Sequence, residues 1–177
     1  MRRAGCANAV ASVRRFKWAA PAVLATIGGC AFAVGVLVYA ADRNPAQTML
    51  FPTIAALHTG QFFGVLGPWL PSFVHPFAFS LLTAAALQRS VSPAYGACAA
   101  WWAVNIAFEV GQHPQISGGL TDSLQRAFGH TWLTRALSNY FVRGSFDVGD
   151  VLAVTAGALA AAGVLQLVHH LEARHAH

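Results

Sequence analysis

Glu109 and Gln112 stand three residues apart at the end of an apolar run, and Asp147 and Asp150 repeat that spacing at the start of another. Side chains three or four apart share one face of a helix, so each pair brings its polar ends together. Arg143 precedes Asp147 by four residues, His75 lies near the start of a further apolar run, and His113 follows Gln112 directly. Such a set could bind a cation, hold a proton, or grip a phosphate through the arginine fork. Ionisable groups in apolar surroundings are costly and face a partner, a bound proton, a metal ion or a cavity. The candidate polar site is therefore His75, Glu109, Gln112, Arg143, Asp147 and Asp150, and a divalent cation among its carboxylates is the one cofactor it suggests.

Plainer readings stand beside this one. Asp147 and Asp150 have the spacing of a helix cap, with an acid at the cap and another three residues in. Glu109 has no such explanation, because it sits near a helix C-terminus, where the helix dipole disfavours an acid. A structural ion pair with Arg143, or a ligand, metal or proton, would stabilise it. His75 alone suits a hydrogen-bonded structural histidine. There is no GxSxG, HExxH, P-loop or dinucleotide fingerprint, and Ser72, Ser80 and Thr83 have no evident base partner. The three cysteines, Cys6, Cys30 and Cys98, are scattered without CxxC or zinc spacing. Whether any reaction is catalysed stays open.

The elements that must position these residues follow from composition. Only 10% of the 177 residues are charged and 56% are hydrophobic, where a soluble domain carries about 25% charged residues. That excludes a disordered chain, a coiled coil and a disulfide scaffold, and it points to one small membrane domain. Apolar runs at 18–41, 71–87, 94–111 and 148–168 predict four spans, each near the length that crosses a hydrocarbon core of about 30 Å. A cleaved signal peptide competes for the first, since Val38-Tyr39-Ala40 resembles a cleavage site, but the apolar stretch is too long for one. Residues 42–70 are broken by Pro52, Gly60, Gly64, Gly67 and Pro68 and read as interfacial or re-entrant pieces. Gly157 and Ala161 offer a small-residue face for close helix packing.

Residues 113–146 predict two amphipathic helices. Thr121 or Asp122 caps the first, which ends at Gly129; the second carries Trp132, Leu133, Ala136, Leu137, Tyr140 and Phe141 against Thr134, Arg135, Ser138 and Asn139. A helix of this kind lies in the membrane interface with its apolar face down. The expected fold class is an all-α integral membrane bundle of four transmembrane helices with short interfacial helices on the outer side. The domains are a basic cytoplasmic segment (1–17), the membrane domain (18–168) and a polar, His-rich cytoplasmic tail (169–177).

Basic residues near the span ends orient the bundle. With both termini inside, Arg2, Arg3, Arg14, Arg15, Lys17, Arg89 and Arg174 are cytoplasmic, and Arg43, Arg126, Arg135 and Arg143 are outside. The N-terminal cluster thus reads as a membrane-orienting flank and not as a nucleic-acid surface. All six site residues then fall at the outer ends of spans two, three and four.

The run Glu109-Val110-Gly111-Gln112, followed by Arg143-Gly144-Ser145-Phe146-Asp147-Val148-Gly149-Asp150 and then Gly157, resembles the VanZ-like membrane proteins. Ser72-Phe73-Val74-His75-Pro76-Phe77-Ala78-Phe79 resembles that family's His-containing helix start, and the likeness covers about half the chain. Thr155 stands where the family has an Asn, and the connection from Gln112 to Arg143 is longer than the family's. The resemblance implies a small multi-span protein of the cell envelope, in the inner (plasma) membrane of a bacterium, and carries over positions without a reaction. The expected ligand is an envelope lipid or cell-wall precursor headgroup. A proton- or ion-coupled carrier using Glu109 and a non-catalytic membrane scaffold are the alternatives, and the bilayer is a partner in each.

Overall fold

The computed structural model of the chain describes residues 19–42, 62–87 and 91–174. The basic segment 1–17, the apolar run 51–57, Cys6, Arg43, Arg89 and the last three residues lie outside them. The described residues form six α-helices and no strand: α1 (Ala19–Asp42), α2 (Leu70–Leu87), α3 (Val91–Gly111), α4 (Pro114–Phe128), α5 (Trp132–Arg143) and α6 (Val148–Arg174). The all-α expectation holds. α1, α2 and α6 are long and apolar enough to cross a membrane, as a membrane protein requires. α3 matches them in length at 21 residues. Asn105 and Glu109 in its second half dilute its apolar character, so among the described residues three helices meet the requirement where four are expected.

Pro71 stands at the second position of α2, where a missing N–H costs nothing. Pro76 lies deeper and cannot donate to the Ser72 carbonyl. α2 is the hub: it packs against α1, α3 and α6, and α3 also packs on α6. Leu24 of α1, Leu81, Ala84 and Ala85 of α2, Ala94 and Cys98 of α3, and Ala161 and Leu165 of α6 form one buried core. It occupies the end where α2 finishes and α3 begins, and its many alanines bring the backbones close. Large apolar side chains such as Phe32, Leu37, Leu152 and Leu159 face outward, as they do toward lipid.

The sharpest contact is between α2 and α6. A Cβ added to Gly157 would overlap the carbonyl of Phe73, and Gly157 and Ala161 are both buried. The expected small-residue face is therefore where the two backbones meet. α6 runs on to Arg174, so the first six residues of the expected polar tail continue the helix. Val38 and Ala40, within the supposed cleavage site, are buried in α1.

At the opposite end of the bundle Asp42 closes α1. Its carboxylate accepts the backbone N–H of Phe62 (2.7 Å) and of Phe63 (3.0 Å). Those two bonds offset the unfavourable dipole at this C-terminus and tie α1 to the turn entering α2. Gly64 in that turn has φ +55°, a conformation open to glycine.

α4 and α5 form a hairpin beyond α3. His113, and neither Thr121 nor Asp122, caps α4: its Nδ1 accepts the Gln115 N–H at 3.3 Å. Pro114 at the first helical position starts the helix early, which leaves Thr121 and Asp122 in mid-helix. The helix ends before Gly129 as expected, and Gly129 takes φ +69°. Thr131 caps α5 through the Thr134 N–H at 3.2 Å. Of the expected apolar face of α5, only Phe141 is buried. Thr134, Ser138 and Phe141 are the buried residues, while Trp132, Leu133 and Tyr140 are exposed. Sequence periodicity finds the apolar stripe, but the neighbours of α5 decide which stripe is covered.

Gly157→Val should lower the thermal midpoint of the purified protein in detergent, with a loss of about 1–3 kcal/mol from overpacking. Gly163→Ala, on the same helix with open space around it, should leave the midpoint unchanged.

Candidate functional site

α2 starts, α3 ends and α6 starts at the same end of the bundle, so the six candidate residues gather there from three helices and the end of α5. Their partners separate them into structural groups and one exception.

Asp147 caps α6: its Oδ1 accepts the Gly149 N–H at 2.9 Å. Its Oδ2 accepts the Trp69 indole N–H at 3.3 Å. The Trp69 ring fills the space that a side chain on Gly149 would need, so this close approach requires glycine. Asp150 accepts the Ser72 hydroxyl at 2.6 Å, a short charge-assisted bond from α2 to α6. The capping reading thus fits Asp147, and Asp150 instead clasps the neighbouring helix.

Gln112 is buried at the end of α3. Its amide donates to the Tyr140 hydroxyl (2.9 Å) and to the Phe108 carbonyl (3.4 Å). Gly144 follows α5 and lies so close to Gln112 that any Cβ there would collide with it. Burial pushes the Tyr140 phenol up to about 12, with the Glu109 carboxylate adding to the shift, so Tyr140 is neutral at physiological pH. The Phe108 ring meets those of Tyr140 (5.5 Å) and Phe141 (5.6 Å), which fixes α5 against α3.

His75 lies in a ring stack, with Tyr39 at 6.1 Å and Phe79 at 6.0 Å between centroids. Phe79 in turn stacks on Trp101 at 4.8 Å. The expected partnership of Arg143 or His75 with Glu109 is not formed: among the described residues neither makes an ion pair within 4.0 Å. Arg143 ends α5 in an exposed position, and the aromatic column holds His75 within α1 and α2. His113 is turned to Phe146, 5.4 Å away edge to face, and Asp122 is exposed on α4.

Glu109 is the exception. Its Oε2 is buried and has no hydrogen-bond partner among the described residues. The charges of Asp150 and Asp147 reach it, as its own charge reaches Tyr140. It thus lies within electrostatic reach of the aspartates that lock α6 to α2 and of the phenol that closes the end of α3. A buried carboxylate oxygen without a donor costs on the order of 1–3 kcal/mol or more, so a donor or a proton is the group that would complete it. Among the described residues no group of three or more His, Cys, Asp or Glu side chains could hold a metal ion, and the divalent-cation expectation is not carried further.

Four contributors escape a reading of the sequence. Trp69, Ser72 and Tyr140 are donors or acceptors to the candidate residues, and Asp42 holds the adjoining turn. Only Asp42 had a visible signal, an acid at the end of an apolar run. No family model, curated protein or solved structure matches the chain.

The Ser72–Asp150 bond should be worth about 2 kcal/mol in a double-mutant cycle of Ser72→Ala and Asp150→Ala, read by chemical or thermal unfolding in detergent micelles. Additive single losses would remove its claim to join the helices.

Proposed function

We propose that the chain is a four-span, VanZ-like integral membrane protein whose polar end binds the headgroup of an envelope lipid or a lipid-linked cell-wall precursor. In this reading α3 is the fourth span, α4 and α5 are interfacial, and both termini lie on the cytoplasmic side of a bacterial inner membrane. Three features support α3 as a span. It is long enough, it packs on α2 and α6, and its Trp101, Trp102 and Asn105 side chains are satisfied within the bundle as hydrocarbon demands. Asn105 donates to the Trp101 carbonyl at 2.7 Å, and the Trp101 and Trp102 indoles donate to Thr83 (2.9 Å) and Thr155 (3.2 Å). The order of Glu109, Gln112, Arg143, Asp147, Asp150 and Gly157 supports the family likeness.

One observation carries the ligand reading: the buried, unpartnered Oε2 of Glu109. An ammonium or hydroxyl donor from a headgroup would complete it. Arg143, exposed four residues before Asp147, is free of ion pairs among the described residues and suits the phosphate of the same headgroup. The bilayer itself delivers such molecules to the end of a span. The non-catalytic alternative accounts for Asp147 and Asp150, whose bonds are structural, and leaves Glu109 unexplained.

The same oxygen favours a second reading, in which Glu109 takes up and releases a proton in a proton- or ion-coupled carrier. Proteoliposomes under a pH gradient separate the two: a carrier collapses the gradient and Glu109→Gln does not, whereas a headgroup-binding protein leaves the gradient intact in both forms.

For the first reading, native mass spectrometry of the detergent-solubilised protein with an amine-headgroup phospholipid should show bound lipid. Glu109→Gln should lower its retention about tenfold, the loss of one charge-assisted bond of ~1.4 kcal/mol or more. Equal retention by both forms, with helix content unchanged, would overturn it.

A further inference from the structure

α5 is built the wrong way round for water. A helix on a soluble protein turns its apolar stripe inward and its hydroxyls outward. Here Thr134 and Ser138 are only 2% and 8% exposed, while Trp132 and Leu133 are 75% and 50% exposed. The Oγ of Ser138 and the Oγ1 of Thr121 are buried without a hydrogen-bond partner among the described residues. The outward side of α5 carries Trp132, Leu133 and Val142, with Arg135 and Arg143 beside them. α4 behaves oppositely, with Gln115, Asp122, Ser123 and Arg126 exposed. One helix of the pair therefore suits an apolar medium and the other an aqueous one.

The tip of the hairpin adds to this. Phe128 (67% exposed) and Trp132 bracket the turn Gly129-His130-Thr131, so three large apolar side chains, with Leu133, stand out at one point. The charge of the hairpin is one-sided: residues 113–146 contain Arg126, Arg135 and Arg143 against the single acid Asp122. α4 starts three residues after α3 ends, which holds the hairpin at the level where the spans leave the hydrocarbon.

We propose that the α4–α5 hairpin lies on the bilayer surface with the Phe128–Trp132–Leu133 tip and the outward face of α5 set among the lipids, held by anionic headgroups through Arg135 and Arg143. Trp132 sits at the headgroup boundary, where indoles concentrate, and the arginines reach back to the phosphates. α4 rides above and faces water. The occupant of the apolar face is thus the surrounding membrane. A second copy of the chain would offer little negative charge to these arginines, since four of its six acids, Asp42, Glu109, Asp147 and Asp150, are taken up at its own polar end and its hairpin carries the single acid Asp122. This contact stands independently of any ligand at Glu109.

The full chain, with Cys6, Cys30 and Cys98 replaced by alanine, tests this in nanodiscs. A nitroxide is placed at Leu133→Cys or, on the outer face of α4, at Ser123→Cys. Collisions with oxygen and with a water-soluble nickel chelate are measured by electron paramagnetic resonance. In discs containing phosphatidylglycerol, the label at 133 should meet oxygen freely and be shielded from nickel severalfold better than the label at 123. Arg135→Glu should raise nickel access at 133 severalfold, and discs of phosphatidylcholine alone should do the same. Equal nickel access at the two sites would overturn the proposal, as would dipolar broadening at 133 between two copies. Shielding that ignores both Arg135 and the lipid charge would overturn its anionic component.

Discussion

The approach of α6 to α2 at Gly157 is the constraint from which the polar end follows. With a Phe73 carbonyl occupying the place of a side chain, the two backbones are held closer than any residue but glycine permits. Two turns nearer the helix start, that proximity puts Ser72 within 2.6 Å of Asp150, and one turn beyond it lays Trp69 over Gly149. α3 then packs into the groove between α2 and α6, and this places Glu109 among the aspartates. A wider α2–α6 spacing would lose the Ser72 bond first and the electrostatic surroundings of Glu109 with it. Packing at one glycine thus determines electrostatics at a carboxylate on another helix.

The polar side chains at this end differ in what they require. Asp42 has two backbone N–H donors, Asp147 has one backbone and one indole donor, Asp150 has a hydroxyl, and Gln112 has a carbonyl and a phenol. Each is explained by the fold alone. Glu109 contributes nothing visible to the fold, yet it retains a buried oxygen without a donor, in the low-dielectric setting where that costs most. A structural role predicts satisfied groups, and a functional role tolerates one that is not. The difference between Glu109 and its neighbours is therefore the physical basis for assigning the site to it.

The parts of this arrangement legible in the sequence were those set by short-range rules. Apolar runs of sufficient length gave α1 and α2 nearly to the residue and the start of α6, the Asp147 cap followed from its place before a helix, and Gly157 with Ala161 announced a close contact. What depended on partners far along the chain was not legible. Nothing in the sequence joins Trp69 to Asp147 or Ser72 to Asp150, each pair separated by 78 residues. The spacing of Arg143 and Asp147 suggested a salt bridge with the acids, but α5 ends with Arg143 pointed into an exposed position. His75 was read by its chemistry when its surroundings, two aromatic rings, decided its role. α4 began more than two turns earlier than its expected capping residues implied, because Pro114 outweighs a Thr or Asp further on.

α5 shows why amphipathic patterns need a medium before they can be interpreted. Its apolar and hydroxyl faces are plain in the sequence, but the pattern alone does not say which of them meets solvent. In water the hydroxyls of Thr134 and Ser138 would be outside; against lipid they belong inside, and Thr134 finds the Gly129 carbonyl there at 2.7 Å. Once α5 is set on the membrane, its far end becomes consequential. Tyr140, two turns along the same face from Trp132, accepts the Gln112 amide and lies within the electrostatic reach of Glu109. A hairpin held at a fixed depth therefore holds the phenol at a fixed distance from the carboxylate. Lipid that lifts or lowers the tip would shift Tyr140 and Gln112 together, since Gly144 leaves no slack between them. On this view the bilayer is part of the site: it supplies the surface that seats α5, and through α5 it sets the Tyr140 phenol, which the charge of Glu109 reaches.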